Sequence, residues 1–197
     1  MVTRIAAADS APGAALGRFT FTYYWVAEER DVRVRPEAWL YDSRCLPIAA
    51  VSIPFLRQLA MEGTGLLTDG RLINFEARCS CSWEGVACFR EVTDDREWGI
   101  GVDERRLVPF RSVAVDNAVI ATGTHLYVPD LDGLVMPGEA PWGGFVHDGC
   151  LVADDRGGHI DGDHLDFFVA KRGFYKHVDR ALHAPSVRVY VSDERCP

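Results

Sequence analysis

The chain has 197 residues, 48% of them hydrophobic and 25% charged, with a formal net charge of −8. It is long enough to bury a sizeable core and too apolar to be a disordered chain. The acidic balance argues against a nucleic-acid backbone as partner, and no apolar run reaches the length of a membrane span. A carbohydrate, met through polar and aromatic contacts, remains compatible with that surface.

Met1 to Gly17 is Ala-rich, carries Pro12 and Gly13, and lacks the continuous apolar stretch of a secretory signal; it reads as a flexible leader. Phe19 to Val26 is β-branched and aromatic and reads as a strand. Alternation puts Phe19, Phe21 and Tyr23 on one face and Thr20, Thr22 and Tyr24 on the other. Short apolar runs follow at Trp39–Tyr41 and Leu46–Val51. Ser52 to Gly63 is the best helix candidate: Ser52 can cap it, Pro54 suits the first turn, Phe55, Leu56 and Leu59 form an apolar face, and Gly63 can end it. Beyond it, Asp69-Gly70 is a hairpin signal between two strands.

Six cysteines, at 45, 79, 81, 88, 150 and 196, suit an oxidising compartment, though their pairing cannot be read from the sequence. Cys79, Cys81 and Cys88 are spaced too closely for a standard zinc pair, and a disulfide is the stronger expectation there. Trp98 to Pro109 is a connection, Arg111–Asp116 a short strand ending in an acid, and Thr122-Gly123 a turn between apolar segments. Pro129 to Gly149 reads as a long surface loop, and Val187–Val191 as a final half-buried strand. Many short strands, frequent glycine turns and one or two helices predict a compact β barrel or sandwich.

The rest of the chain is organised around Leu151–Phe168, LVADDRGGHIDGDHLDFF. A small apolar strand runs into two acids, a Gly157-Gly158 pair follows, and Ile160, Leu165, Phe167 and Phe168 return the chain to the core. Asp155 and Asp166 thus stand at opposite ends of a tight connection, each beside apolar residues. Partial desolvation and a like charge nearby both raise a carboxyl pKa, and proton-transfer catalysis at neutral pH needs that combination. The competing reading is a solvated acidic turn, since Asp and Gly both tolerate turn geometry.

RSVAVDNAVIATGTHLYVP followed by GCLVADDRGGHIDGDHLDFFV resembles the three-aspartate (3D) domain. That domain is shared by the membrane-bound lytic transglycosylase A family and by stationary-phase survival proteins related to resuscitation-promoting factors. Asp116, Asp155 and Asp166 match its three aspartates, and Gly123, Gly157, Gly158, Ile160 and Gly162 its framework. The match is strong over residues 111–168, and FTYYW is similar to the domain's opening strand. The resemblance implies a six-stranded double-psi β barrel with one or two short helices and long loops, formed by a single domain at residues 18–197 with insertions. It implies a peptidoglycan lytic transglycosylase that cleaves the MurNAc-β-1,4-GlcNAc bond without water to give 1,6-anhydroMurNAc. The same resemblance makes Asp166 the acid/base, Asp155 its neighbour that keeps the pKa high, and Asp116 the third member of an acidic cluster. Gly157 and Gly158 would let a sugar approach the backbone, and Tyr24, Trp98 and Trp142 are candidates to stack on sugar faces. Peptidoglycan glycan strands are the expected partner, no cofactor or metal is called for, and a periplasmic or extracellular location follows.

The chain departs from the family pattern at Ala121-Thr122, where a Pro-Leu pair is frequent, and at His159 and Asp161, where Ala and Lys are frequent. Three other readings stand beside this one. The barrel could be a non-catalytic peptidoglycan- or carbohydrate-binding module. His147, His159 and His164, set among Asp154, Asp161 and Asp163, could hold a divalent metal. The long 129–149 loop could serve an interaction protein.

Overall fold

A computed structural model of the chain describes residues 13–81, 85, 87–93, 95–192 and 194–196. The chain divides into two compact units, Met1–Tyr24 with Gly101–Pro197, and Trp25–Ile100. The second is thus inserted in sequence between the first strand of the first unit and the remainder.

The first unit is a closed six-stranded barrel, as the expected double-psi class requires. Its strands are β1 (Ala14–Tyr24), β8 (Ser112–Val115), β9 (His125–Tyr127), β10 (Cys150–Asp155), β11 (His164–Phe168) and β12 (Ser186–Val191), in the spatial order β1-β11-β8-β10-β9-β12. The β1/β11 and β10/β8 pairs are parallel; the other neighbours are antiparallel. Alternation fills the interior: Phe19, Phe21, Val113, Val115, Leu126, Leu151, Ala153, Leu165, Phe167, Val187 and Val189 are all at most 5% exposed. Phe167 meets Phe21 and Phe110 at ring-centroid distances of 5.4 and 6.2 Å, so Phe167→Ala would remove about 3–5 kcal/mol of packing. Helix α2 (Arg172–Leu182), for which no helix signal was read in the sequence, follows β11 and buries Val178.

β1 begins at Ala14, inside the stretch read as leader, because Ala14, Ala15 and Gly17 pair with Val191, Tyr190 and Val189 of β12. Ladder hydrogen bonds outweigh the weak strand propensity of Ala and Gly there. The rest of the leader, residues 1–12, lies outside the described residues. The C-terminus is tied down by the Cys150–Cys196 disulfide and by Arg195, which lies over the Tyr127 ring at 4.0 Å and pairs with Asp132 at 2.7 Å.

The second unit holds the sheet β2-β5-β6-β7, made of Ala27–Glu28, Thr64–Leu66, Leu72–Ala77 and Cys88–Val92. It also holds the hairpin of β3 (Ala38–Tyr41) with β4 (Pro47–Val51), and helix α1 (Ile53–Glu62). The helix is the one predicted. Ser52 accepts a hydrogen bond from the Phe55 N–H, and Gly63 ends the helix in the left-handed region at φ 78°. Phe55, Leu56 and Leu59 enter a core with Leu40, Val51, Ile73 and Phe89. Two disulfides, Cys45–Cys81 and Cys79–Cys88, staple its edge. Among the described residues, Cys79, Cys81 and Cys88 are the group whose sulfurs gather closely enough for a metal, but each is disulfide-bonded and has no thiolate to offer.

Candidate active site

Strand register builds the site. On β11, Asp166 is opposite Ala114 of β8 on one side and Thr22 of β1 on the other. On β10, Asp155 is also opposite Ala114, after a register shift between Ala153 and Asp155. The order across the sheet is therefore Thr22, Asp166, Ala114, Asp155. The two acids flank a residue that contributes only a methyl group, so nothing bulky stands between them. Leu165 and Phe167, one residue to either side of Asp166, point into the barrel core and are fully buried, which turns Asp166 to the opposite face.

The two carboxyls are partly buried, and each is charge-perturbed. Burial is the main cause that pushes Asp155 up to about 7; the Arg156 N–H and the Tyr24 hydroxyl oppose it, while the charges of Asp154 and Asp166 add to it. Burial likewise raises Asp166, opposed by the Thr22 hydroxyl and by His164. Thr22 Oγ1 donates to Asp166 Oδ1 at 2.6 Å, and the Arg156 N–H donates to Asp155 Oδ1 at 2.8 Å. Both carboxyls are raised by burial, and Asp155, titrating near 7 in the field of Asp166, retains a proton near neutral pH.

Tyr24 is buried at 6% exposure, with its ring 5.0 Å from that of Phe168. Such a ring has no open face for a sugar. Its hydroxyl is buried in the field of the acids: burial first, then the charges of Asp155 and Asp166, raise its pKa well above 10.0. Tyr24 thus belongs to the acidic site as a neighbour of the carboxyls rather than as a stacking platform.

Asp116 has a different environment. Its Oδ1 accepts from the Ala118 N–H and its Oδ2 from the Gly162 N–H, both at 2.8 Å. These two bonds hold its carboxyl below the ordinary range. The Gly162 bond also ties the turn after β8 to the glycine loop between β10 and β11. Arg156 adds a second tie between the same loops, donating to Asn117 Oδ1 at 3.0 Å and to Thr122 Oγ1 at 2.7 Å.

Of the two glycines proposed for close sugar approach, only Gly158 has open space around it: an added Cβ would meet nothing within 4 Å. At Gly157 an added Cβ would fall 2.4 Å from Ile160 Cγ1, so the loop's own packing requires glycine there. Trp98 lies in the second unit, and Trp142 in the 129–149 loop of the first; both are half-buried. The metal alternative loses His147, which is fully buried with Nε2 bonded to the Phe110 carbonyl at 2.7 Å and Nδ1 accepting from the Gly149 N–H at 2.8 Å.

No local signal in the sequence marks Thr22 and His164, the remaining members of the site, for a role in proton transfer. The period-2 signal did place Thr22 and Tyr24 on one strand face. Only the parallel pairing of β1 with β11 sets that face beside Asp166, and such a long-range pairing has no local signature.

Residues 111–175 match the family model of the 3D domain. No curated protein matches the chain in sequence. Among solved structures, the chain is similar to Escherichia coli MltA crystallised with bound chitohexaose. Sequence identity is 19% over 89% of this chain and 71% of that one, with a TM-score of 0.57. It is also similar to the membrane-bound lytic murein transglycosylase of Agrobacterium tumefaciens, at 16% identity over 91% of this chain and 74% of that one, with a TM-score of 0.50. At such identities the likeness establishes the fold. The chain therefore carries a 3D domain, at residues 111–175, within a fold shared with lytic transglycosylase structures.

Proposed function

We propose that the protein is a lytic transglycosylase that cleaves the MurNAc-β-1,4-GlcNAc bond of peptidoglycan, with Asp166 as acid/base. The observation that carries the reading is the pair of partly buried carboxyls, Asp155 and Asp166, flanking Ala114 and both raised by burial. The 3D-domain match over these residues and the shared fold support it.

A protonated Asp166 gives its proton to the glycosidic oxygen as the C1–O bond breaks. The C6 hydroxyl oxygen of the same MurNAc then bonds to C1, and its proton goes to the Asp166 carboxylate. This closes the 1,6-anhydro ring and restores the acid. One carboxyl serves both steps because no water is activated, which removes the need for two independently working carboxyls. Asp155 keeps a proton in the pair at neutral pH, and Tyr24 closes the site beside both. Asp116 and Arg156 hold the glycine loop in register, and Gly158 leaves room for a sugar against the backbone. Peptidoglycan as substrate implies work outside the cytoplasm, and three disulfides suit an oxidising compartment. Among the described residues, no helix is long and apolar enough to cross a membrane.

The test is digestion of purified peptidoglycan with mass spectrometry of the soluble products. Anhydromuramyl species are expected. Retention on peptidoglycan without any release would replace the enzyme by a carbohydrate-binding barrel.

A further inference from the structure

Thr22 Oγ1 makes two hydrogen bonds, to Asp166 Oδ1 at 2.6 Å and to His164 Nε2 at 2.8 Å. A threonine hydroxyl has one proton. With that proton given to Asp166, the second bond requires His164 Nε2 to be the donor. While Asp166 is ionised the chain therefore runs in one direction, from His164 Nε2–H to Thr22 Oγ1 and from Thr22 Oγ1–H to Asp166 Oδ1. β1 and β11 fix it: Thr22 is paired in register with Asp166, and His164 lies two residues before Asp166 on the same strand face.

We propose that His164 is a positioning residue for Asp166, acting through the Thr22 hydroxyl to set how readily that carboxyl gives up and regains its proton. The inference rests on the reading of Asp166 as acid/base, but its direct content, control of Asp166 protonation, is independent of any substrate. A donor chain aimed at one carboxylate oxygen stabilises the ionised form. It opposes the burial that would otherwise hold the proton too firmly for the first half of the reaction, in which Asp166 donates. Bonding through Oδ1 also assigns the exchanging proton to Oδ2. The titratable groups that face Asp166 are His164 on its own strand, Asp155 on β10 and Tyr24 on β1; β8 presents only Ala114. Of these, His164 is the one that favours the ionised carboxylate.

The experiment is carboxyl-carbon NMR titration of Asp166 in the wild type, His164→Leu, His164→Gln and Thr22→Val, with peptidoglycan digestion followed against pH in parallel. Removing either link should raise the Asp166 midpoint by about one pH unit and move the alkaline limb of the rate profile with it. His164→Gln, which keeps an N–H donor, should recover part of the shift. An Asp166 midpoint unchanged in all three folded variants overturns the proposal. Shifted midpoints in a protein that releases no anhydromuramyl product would uphold the chain and reject the enzymatic reading, so the two failures are distinct.

Discussion

Replacing Asp155 by Asn should make the fold more stable at alkaline pH, even though it damages the proposed site. A carboxyl that titrates near 7 in the folded protein and at 3.8 without the fold's influence costs about 4 kcal/mol to ionise inside the fold, at roughly 1.4 kcal/mol per pH unit. Its partial exposure reduces this to about 2–4 kcal/mol. The sign follows from the raised value. Well below pH 3.8 the carboxyl is protonated in both folded and unfolded chains, and its contribution is complete. As pH rises toward 7, the unfolded chain ionises freely while the folded one resists, and stability is lost. Asn carries no charge at any pH, and its amide oxygen can still accept from the Arg156 N–H. Urea unfolding of wild type and Asp155→Asn, with disulfides intact, should give midpoints that nearly coincide at about pH 3, diverge up to about pH 7 and level off beyond it, with the variant the more stable. The titrating groups outside the field of Asp155 are common to both proteins, so their pH dependence cancels in the difference. A difference that stays flat across this range would refute the burial argument for Asp155.

Other outcomes follow from single contacts. Asp116→Ala should cost about 1–3 kcal/mol through two orphaned N–H groups, and hydrogen exchange at the Gly162 amide should quicken markedly; unchanged exchange would dissolve the loop-tie role. At Gly101 an added Cβ would fall 2.1 Å from the Asp154 carbonyl oxygen, so Gly101→Ala should lower stability by at least about 1–3 kcal/mol in thermal unfolding. His147, fully buried with both ring nitrogens engaged and its pKa pushed down to about 4 mainly by burial, should show ring proton resonances that do not titrate between pH 5.5 and 8. A midpoint near 6.5 would contradict the buried, neutral imidazole.

Local chemistry was legible where it is decided locally. Ser52, Pro54 and Gly63 bounded α1 because caps and the left-handed stop act within one turn. Asp69-Gly70 marked the β5–β6 connection, with Gly70 at φ 92°. The spacing from Asp155 to Asp166 carried the proposed site because both residues end up opposite Ala114. What the sequence withheld was long-range. Helix α2 opens at Lys171 without a side-chain cap. The 25–100 unit begins within the aromatic run 19–26, with no change of composition at the boundary. The disulfide partners are up to 46 residues apart. Asp116 carries the same side chain as Asp155 and Asp166, and only the structure shows two backbone N–H groups occupying its carboxylate while the other two acids flank Ala114 and are raised by burial.

The most direct measurement compares anhydromuramyl release by the wild type, Asp166→Asn and Asp155→Asn on the same peptidoglycan, with each variant first shown to be folded. The account predicts that Asp166→Asn falls by at least about 100-fold, the scale of a lost general acid, while Asp155→Asn retains reduced activity with an altered pH profile. Undiminished release by folded Asp166→Asn would contradict it.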